Sequence, residues 1–260
     1  MHTFVVLAYK ESEYLEKCIK SVLNQKYKSK VLIATSTPND YIYDLAKKYS
    51  LEVIVNPNPG KGIGYDFDFA ISCGKTDLVT VAHQDDIYDE DYSYHMVQAY
   101  KKYSKSVILF SDYYEIRNEN KVETNTNLKI KRVLLFPLRC KYLSHFKFWK
   151  RFVIRFGNAI SCPAVTFVRK NINTTDIFKC DFACDVDWFA WEKLSKHKGN
   201  FLFINKKLMG HRVHEESTTT EIINERIRTK EDYAMFQKFW PDCISKLINK
   251  FYVKAEDSNG

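Results

Sequence analysis

Short apolar runs and amphipathic stretches alternate along the first part of the chain. The apolar runs are rich in β-branched residues and end in turn-forming residues, which predicts buried strands. Between them, apolar positions such as Leu15, Ile19 and Val22 recur at helical spacing. The predicted strands cover residues 3–8, 31–35, 51–55 and 78–82, and the predicted helices cover residues 13–25, 41–49 and 65–73. This alternation predicts a mostly parallel sheet, so we expect the Rossmann-like half of an α/β fold.

The rest of the chain has a less regular pattern. A helix is predicted around residues 91–103 and a strand over residues 107–111, whereas the polar residues 116–128 predict a loop or a hairpin. The remaining predictions are a loop that enters a strand over residues 158–168, a helix that opens near Asp185, a strand over residues 201–204, a polar stretch from His211 and a helical pattern over residues 221–253.

The strand at residues 78–82 ends in a polar cluster, Gln84-Asp85-Asp86. The carboxyl ends of strands in open α/β sheets border the crevice in which ligands bind. Mg²⁺ and Mn²⁺ prefer carboxylate oxygens and often share their coordination with substrate phosphates. The two carboxylates therefore predict a metal site. The alternative is that Asp85 and Asp86 only begin a helix, where anions suit the positive end of the helix dipole.

A glycine-rich loop, Gly60-x-Gly62-x-Gly64, follows the third predicted strand. Its spacing and its position differ from those of the dinucleotide-binding fingerprint, which opens the helix after the first strand. A backbone contact to a phosphate, with Lys61 as a point charge, is one hypothesis for this loop. A plain turn explains it equally well.

Composition indicates a globular protein without a membrane-spanning segment. The chain has 260 residues, of which 45% are hydrophobic and 15% aromatic, and no apolar run reaches the roughly 20 residues that a spanning helix needs. The N-terminus lacks the charged start and the cleavage region of a signal peptide. The seven cysteines are scattered and form no CxxC motif, so we interpret them as reduced packing residues. These features together predict a cytoplasmic protein.

The net charge of +8 is concentrated in residues 129–156, which we call the basic aromatic segment. This segment holds nine Lys or Arg residues and no Asp or Glu, and bulky apolar residues such as Phe136, Phe148 and Trp149 lie between the cations. Such a stretch suits the surface of an anionic membrane. Nucleic acid is the competing anionic partner, but no nucleic-acid-binding motif accompanies the charge, so we predict no nucleic-acid partner.

Two further polar clusters stand beside predicted elements, far along the chain from Gln84-Asp85-Asp86. They are Asp185 with Asp187, and His211-Arg212-Val213-His214. Carboxylates for a metal, a carboxylate that removes a proton, and an Arg/His pair for phosphate or metal together suit group transfer from a phosphate-activated donor.

With these motifs the sequence resembles family 2 glycosyltransferases of the GT-A fold, over roughly residues 3–220. The opening strand and helix, which end in Ser21-Val22-Leu23-Asn24-Gln25, are similar to the start of that family. Gln84-Asp85-Asp86 stands where the family has its metal motif, and Cys184-Asp185 stands where it has a Glu-Asp pair. Arg212-x-His214-x-x-Ser217 is similar to the family's late RxHxxS segment.

The resemblance implies inverting sugar transfer from a nucleotide-diphosphate sugar, with Mn²⁺ or Mg²⁺. Asp86 is then expected to bind the metal, with His214 as a further ligand. Asp85 is expected to contact the donor ribose or sugar and Arg212 a donor phosphate, while Asp185 acts as the base that deprotonates the acceptor. Further donor contacts are expected from Ala8, Tyr9, Glu11, Thr35 and Lys61.

Four sites depart from the family's pattern, and one of them lies around Asp66-Phe67, where the family often has Arg-Asn before the metal-motif strand. Thr35 and Ser36 occupy the turn after the second strand, where the family has an Asp-rich turn that recognises the nucleotide base. Gln84 reduces the number of carboxylates in the metal motif, and Ala8 replaces a proline after the first strand. A hydroxyl can still bond a pyrimidine, so a UDP-linked donor is our expectation.

We expect residues 1–220 to form the glycosyltransferase domain, with residues 1–112 as the donor half and residues 113–220 as the acceptor half. Residues 221–260 are expected to form a helical tail. The predicted acceptor is a hydroxyl of a lipid-linked or growing cell-surface glycan, as in capsule or lipopolysaccharide synthesis, with the enzyme peripheral on the inner face of the cytoplasmic membrane. The alternatives are an inactive module that binds a nucleotide or glycan, and a sugar nucleotidyltransferase. The latter requires a Gly/Arg-rich loop after the first strand, which Tyr9-Lys10-Glu11 does not supply.

Overall fold

The computed structural model describes residues 1–213 and 225–257, and in this part of the chain a single nine-stranded sheet forms the centre of the fold. The strands are β1 (His2–Ala8), β2 (Lys30–Thr35), β3 (Glu52–Val55), β4 (Leu78–His83), β5 (Ile87–Tyr88), β6 (Ser106–Arg117), β7 (Asn120–Val122), β8 (Val165–Val168) and β9 (Asn200–Val213).

Helices cover both faces of the sheet, and polar side chains begin two of them. Asn39 accepts a hydrogen bond from the backbone N–H of Ile42, and Asn125 accepts one from that of Leu128, which satisfies an amide that the helix itself leaves unbonded. The helices are α1 (Leu15–Leu23), α2 (Asp40–Tyr49), α3 (Ile63–Cys73), α4 (Tyr92–Lys102), α5 (Thr126–Leu135), α6 (Lys147–Phe152), α7 (Val186–Ser195), α8 (Glu225–Gln237) and α9 (Asp242–Asp257).

The first half of the sheet is parallel, as the alternating pattern predicts. Its strand order is β3-β2-β1-β4, and all three neighbouring pairs are parallel. In the register of these pairs, Ala8 lies beside Thr35, and Leu7 lies beside His83. The carboxyl ends of β1, β2 and β4 therefore meet at one edge of the sheet.

The second half of the sheet is mixed, and it brings β9 back to the end of β4. Strand β8 lies antiparallel between β4 and β6, and β9 runs parallel to β6. The short β5 pairs with the far end of β9, where Ile87 lies opposite Gly210. The first residues of the polar stretch, His211 to Val213, lie in β9, which pairs with β6 as far as Val213.

Trp188 and Trp191 of α7 lie in the core between the sheet and the helices. Both side chains are fully buried, and their indole N–H groups donate hydrogen bonds to the carbonyls of Ile154 and Ile160. Large aromatic side chains are buried most favourably when their polar atom finds a partner. The two tryptophans therefore pack in the core and present no face to a sugar.

The C-terminal helices pack on the same core, and the helical pattern predicted for the tail is confirmed. Phe236 of α8 is fully buried, and its ring lies 5.1 Å from that of Trp188 and 5.5 Å from that of Tyr252 in α9. All seven cysteines are free, as predicted. Across the described residues, no helix combines the length and the apolar character needed to cross a membrane.

Candidate active site

An amide side chain joins the loops that follow β1 and β4. The Gln84 Oε1 accepts a hydrogen bond of 2.9 Å from the backbone N–H of Tyr9, and its Nε2 donates one of 3.0 Å to the carbonyl of Tyr9. A carboxylate has no donor and could not form both bonds. The departure from the family's metal motif at this position therefore has a structural role, which is to hold the two loops together.

A carboxylate from helix α3 lies beside the turn that follows β2. Asp66, in the first turn of α3, accepts hydrogen bonds from the Ser36 hydroxyl at 3.0 Å and from the Asn56 side-chain amide at 2.8 Å. Thr35 is fully buried, and its hydroxyl oxygen accepts a bond from the backbone N–H of Thr37. The turn has no acidic residue of its own, but the Asp66 carboxylate lies in hydrogen-bond contact with it.

Asp86 is fully buried between the end of β4 and the end of β9. Its Oδ1 accepts a hydrogen bond of 2.8 Å from the backbone N–H of Arg212 and lies 3.1 Å from Nδ1 of His211. Its Oδ2 is buried and has no hydrogen-bond partner in the part of the chain that the structure describes. Since an unpaired carboxylate oxygen is costly to bury, this atom is suited to a ligand.

His83, the last residue of β4, completes a group of metal-ligating side chains with Asp85 and Asp86. One ligand atom from each of these residues lies within 4.8 Å of the other two. The imidazole stacks on Phe67 at 5.1 Å, and its buried Nε2 has no hydrogen-bond partner among the described residues. Burial lowers the pKa of His83, which favours the neutral form that binds metals. Two carboxylates and a neutral imidazole fit Mn²⁺ or Mg²⁺.

Arg212 lies against this group, and almost all of its side chain is buried. Its Nε donates a hydrogen bond of 3.0 Å to the carbonyl of Asp85, and its guanidinium lies over the Tyr14 ring at 4.3 Å and forms an ion pair with Glu119. Its Nη2 is buried without a hydrogen-bond partner among the described residues. His214, the second predicted metal ligand, lies outside the described residues.

His211 is a half-exposed titratable group beside the buried Asp86. Burial disfavours the charged imidazole, but the Asp86 carboxylate outweighs that effect and raises the pKa of His211. The raised pKa favours the protonated, positively charged form of His211 beside Asp86.

Asp187 and Asp185 open helix α7 and point to different neighbours. The Asp187 carboxylate accepts hydrogen bonds of 2.7 Å from the Asn158 side-chain amide and from the backbone N–H of Trp188. The negative charges of Asp187 and Asp86 each raise the pKa of the His83 imidazole, although burial lowers it by more. The Asp187 charge therefore opposes the lowering of the His83 pKa by burial.

Asp185 occupies the N-cap position of α7 and is buried. Burial raises the pKa of Asp185 well above the usual carboxyl range, and the nearby acids Asp232 and Asp187 raise it further. The Asp185 Oδ2 is buried and has no hydrogen-bond partner among the described residues. A carboxylate with a raised pKa and a free oxygen has the properties of a general base.

Comparison with known proteins identifies the family. A sequence model described as "Glycosyl transferase family 2" matches residues 3–172. The chain belongs to glycosyltransferase family 2. No curated protein matches it in sequence.

Solved glycosyltransferase structures share the fold of this family 2 protein at low sequence identity. S. aureus TarS residues 1–349 in complex with UDP-GlcNAc has a TM-score of 0.66 and 12% identity, over 95% of this chain and 70% of that one. Full TarS has a TM-score of 0.65 and 12% identity, over 95% of this chain and 42% of that one. The mannosyltransferase PcManGT from Pyrobaculum calidifontis, in complex with GDP-Man and Mn²⁺, has a TM-score of 0.58 and 12% identity, over 97% of this chain and 69% of that one.

The other predicted donor contacts of this glycosyltransferase lie along the same sheet edge or in loops beside it. Ala8 is buried at the end of β1, and Tyr9 and Glu11 follow it with exposed side chains. Lys61 is exposed in the loop before α3, between Gly60 and Gly62, which both have positive φ angles. The sequence predictions gave no role in the site to His83 or Asp66; the only signal for His83 was its position at the end of β4, just before the two carboxylates.

Proposed function

We propose that this glycosyltransferase transfers a sugar with inversion from a nucleotide-diphosphate donor to a glycan hydroxyl. The observation that carries the proposal is the convergence of His83, Asp85 and Asp86 at the end of β4, where one ligand atom of each lies within 4.8 Å of the other two. Arg212 supports the proposal as well, because it bonds the Asp85 carbonyl from the end of β9 and open α/β sheets bind ligands at the carboxyl ends of their strands.

In this proposal His83, Asp85 and Asp86 hold Mn²⁺ or Mg²⁺. The bound cation would supply positive charge that offsets the charge on the leaving diphosphate. Arg212 supplies a second, fixed positive charge, and its unbonded Nη2 suits a phosphate oxygen. The orphaned Oδ2 of Asp86 supports the metal, because a cation is the ligand that a buried carboxylate oxygen prefers.

Asp185 carries out the proton transfer. Its carboxylate removes the proton of the acceptor hydroxyl, and the acceptor oxygen attacks the anomeric carbon of the sugar from the face opposite the diphosphate. The new carbon–oxygen bond forms while the bond to the diphosphate breaks, and the diphosphate leaves with the bonding electrons. One displacement inverts the configuration at that carbon.

The donor that we propose is UDP-linked. The similar TarS structure holds UDP-GlcNAc and the similar mannosyltransferase structure holds GDP-Man, so the fold admits either kind of base. In this chain the Asp66 carboxylate, held by Ser36 and Asn56 beside the end of β2, is positioned to accept a hydrogen bond from an N–H of the base. Thr35 lies at the same strand end but is fully buried.

The acceptor that we propose is a lipid-linked or growing surface glycan, of the capsule or lipopolysaccharide class, at the inner face of the cytoplasmic membrane. The basic aromatic segment supports this, because Val133, Phe136, Tyr142 and Phe148 expose 73%, 65%, 70% and 61% of their surfaces. Apolar side chains exposed together mark interaction surfaces.

Only some cations of the segment are available to a membrane. Five of its nine are bonded within the fold: Lys131 to Tyr113, Arg132 to Asp112, Lys141 to the Phe203 carbonyl, Lys150 to the carbonyls of His197 and Gly199, and Arg151 to Glu192. Lys129, Arg139 and Lys147 are exposed among the apolar side chains. Exposed cations between exposed aromatics complement an anionic leaflet.

A screen of nucleotide sugars tests the function. The protein is incubated with UDP- and GDP-linked sugars in Mn²⁺, Mg²⁺ or EDTA, and release of the nucleoside diphosphate is measured beside that of the Asp185→Asn variant. We expect metal-dependent release from UDP-sugars by the parent only. Tight nucleotide binding by calorimetry without any release would instead identify a binding module that has lost catalysis, and release of pyrophosphate in a reaction with a nucleoside triphosphate would identify a nucleotidyltransferase.

A further inference from the structure

Two adjacent acids of α8 are buried against the start of α7. Glu231 and Asp232 expose only 8% and 1% of their surfaces. Acidic side chains are rarely buried unless they are paired or hydrogen-bonded, so their position needs a partner. The partner of Glu231 is the segment that carries Asp185.

The Glu231 carboxylate binds three successive backbone amides at the start of α7. Its Oε1 accepts a hydrogen bond of 2.7 Å from the N–H of Ala183, and its Oε2 accepts bonds of 2.7 Å and 3.0 Å from the N–H groups of Cys184 and Asp185. Amides at a helix start have no partner within the helix, and a negative charge there suits the helix dipole. Glu231 therefore fixes the backbone from which the Asp185 side chain projects.

Asp232 follows Glu231 in α8, its side chain is buried like that of Asp185, and its charge raises the pKa of Asp185. Both side chains are buried, so they cannot both carry a charge at low cost, and one proton between them is the favoured state. Among the described residues, the titratable and charged groups that face Asp185 are Cys184 and Asp187 from its own segment, and Arg228, Glu231 and Asp232 from α8.

We propose that helix α8 completes the catalytic base, with Glu231 as the residue that positions Asp185 and Asp232 as the residue that shares its proton. This inference rests on the proposed function, in which Asp185 deprotonates the acceptor. Glu231 and Asp232 act through Asp185 and are positioning residues. In the family's pattern a Glu precedes the base, and this chain has Cys184 there, so the carboxylate that contacts this backbone comes from α8 instead.

The pair has a direct consequence for the dependence of rate on pH. Asp185 can accept a proton only when it is ionised, and burial followed by Asp232 raises the pKa of Asp185. The rate should therefore fall on the acid side at a higher pH than for an isolated Asp. Asp232→Asn removes the neighbouring charge, lowers the pKa of Asp185 and moves this acid limb to lower pH.

A carbon-13 titration tests the shared proton without any substrate. Aspartate carboxyls are labelled, and the Asp185 resonance is assigned by its loss in Asp185→Asn. We expect this resonance to titrate above the usual carboxyl range in the parent and at lower pH in Asp232→Asn. A titration of Asp185 that is unchanged by Asp232→Asn would overturn the proton-sharing pair.

Kinetics test the positioning role of Glu231. Glu231→Gln keeps the size of the side chain but weakens its hold on the three amides, so kcat for release of UDP from UDP-sugar should fall about 10- to 100-fold with the donor KM unchanged. Glu231→Asp should recover part of the rate. An unchanged kcat in Glu231→Gln would overturn the positioning role.

Asp68→Asn is the matched control. Asp68 also accepts hydrogen bonds from three successive backbone amides, those of Ile177, Phe178 and Lys179, but it does not touch the base. This variant should lose stability and leave the acid limb of the pH–rate profile in place.

The two proposals can fail separately. If Asp185→Asn keeps the parent rate while the carbon-13 titration of the parent still shows that Asp232 shifts Asp185, the proposed function is wrong and the proton-sharing pair is still supported.

Discussion

The backbone N–H of Arg212 donates a hydrogen bond of 2.8 Å to the carboxylate of Asp86, 126 positions earlier in the chain. This bond joins the end of β9 to the end of β4. It engages Oδ1 of Asp86 and leaves Oδ2 without a partner among the described residues. One residue thus holds two parts of the sheet together and still offers an atom to a ligand.

Asp86→Asn should separate these two roles. The amide oxygen can still accept the Arg212 N–H, so the fold should persist, but the charge that attracts a cation is lost. We expect the affinity for UDP in Mn²⁺ to fall about 10- to 100-fold, to the value measured in EDTA, by calorimetry. Asp91→Asn, a nearby exposed acid that pairs with Lys26, is the control and should bind as the parent does. Equal UDP affinities of the parent in Mn²⁺ and EDTA would contradict the metal site.

Asp185→Asn should abolish transfer while it leaves donor binding intact. Removal of a general base lowers kcat by about 10² to 10⁴. The measurement is release of UDP from a UDP-sugar, together with UDP affinity by calorimetry on the same preparation. Turnover close to that of the parent would show that another group accepts the proton.

Asp66→Asn should weaken recognition of the base alone. The variant loses the negative charge that Ser36 and Asn56 hold beside the end of β2, so we expect UDP affinity to fall about tenfold. Inorganic pyrophosphate with Mn²⁺ is the internal control, because it lacks a base and should bind both proteins equally. An equal loss for UDP and pyrophosphate would place Asp66 outside the base site.

Binding to vesicles should depend on the exposed apolar side chains of the basic aromatic segment. We expect the parent to float with vesicles that contain an anionic lipid and not with neutral ones, and Val133→Ser/Phe136→Ser to lose most of this binding. Tyr43→Ser/Tyr94→Ser is the matched control, since both tyrosines are exposed elsewhere at 46% and 44%. Flotation that is the same with anionic and neutral vesicles would remove the membrane proposal.

Local patterns predict the parallel half of the sheet well. Buried parallel strands need continuous apolar runs, and helices between them need an apolar face, so the order of elements up to β4 follows from the sequence. Because the carboxyl ends of parallel strands share one edge of a sheet, the sequence correctly predicts that Thr35 and the residues after β4 lie along the same edge. The sequence of β4 also contained His83, but a histidine at a strand end has no pattern that marks it as a ligand.

The remaining parts of the site depend on contacts between distant residues. His211 and Arg212 lie in a strand because β9 pairs with β6 and β5, and no local pattern shows that pairing. Asp66 of α3 brings a carboxylate to the turn after β2, where it bonds Ser36 and Asn56. Glu231 reaches α7 from the C-terminal helices. In each case the contact joins residues that are far apart in the sequence, so no local pattern predicts it.

Charge along the sequence also overstated the available surface charge. Nine cations without an acid predict a strongly basic face, yet Lys150 is buried against backbone carbonyls and Arg151 pairs with Glu192. A long side chain can satisfy a carbonyl or an acid from a remote element, and the sequence alone does not show which cations do so.

The contact of Glu231 with the Asp185 backbone spans 46 positions. During synthesis every strand of the described sheet leaves the ribosome before Glu231 does, and N-terminal parts of a chain generally fold first. We therefore expect a nascent molecule to acquire its nucleotide pocket before its reactive carboxylate is held in place. Such an order would keep a half-made enzyme from consuming donor, since it could bind the activated sugar but not yet use it.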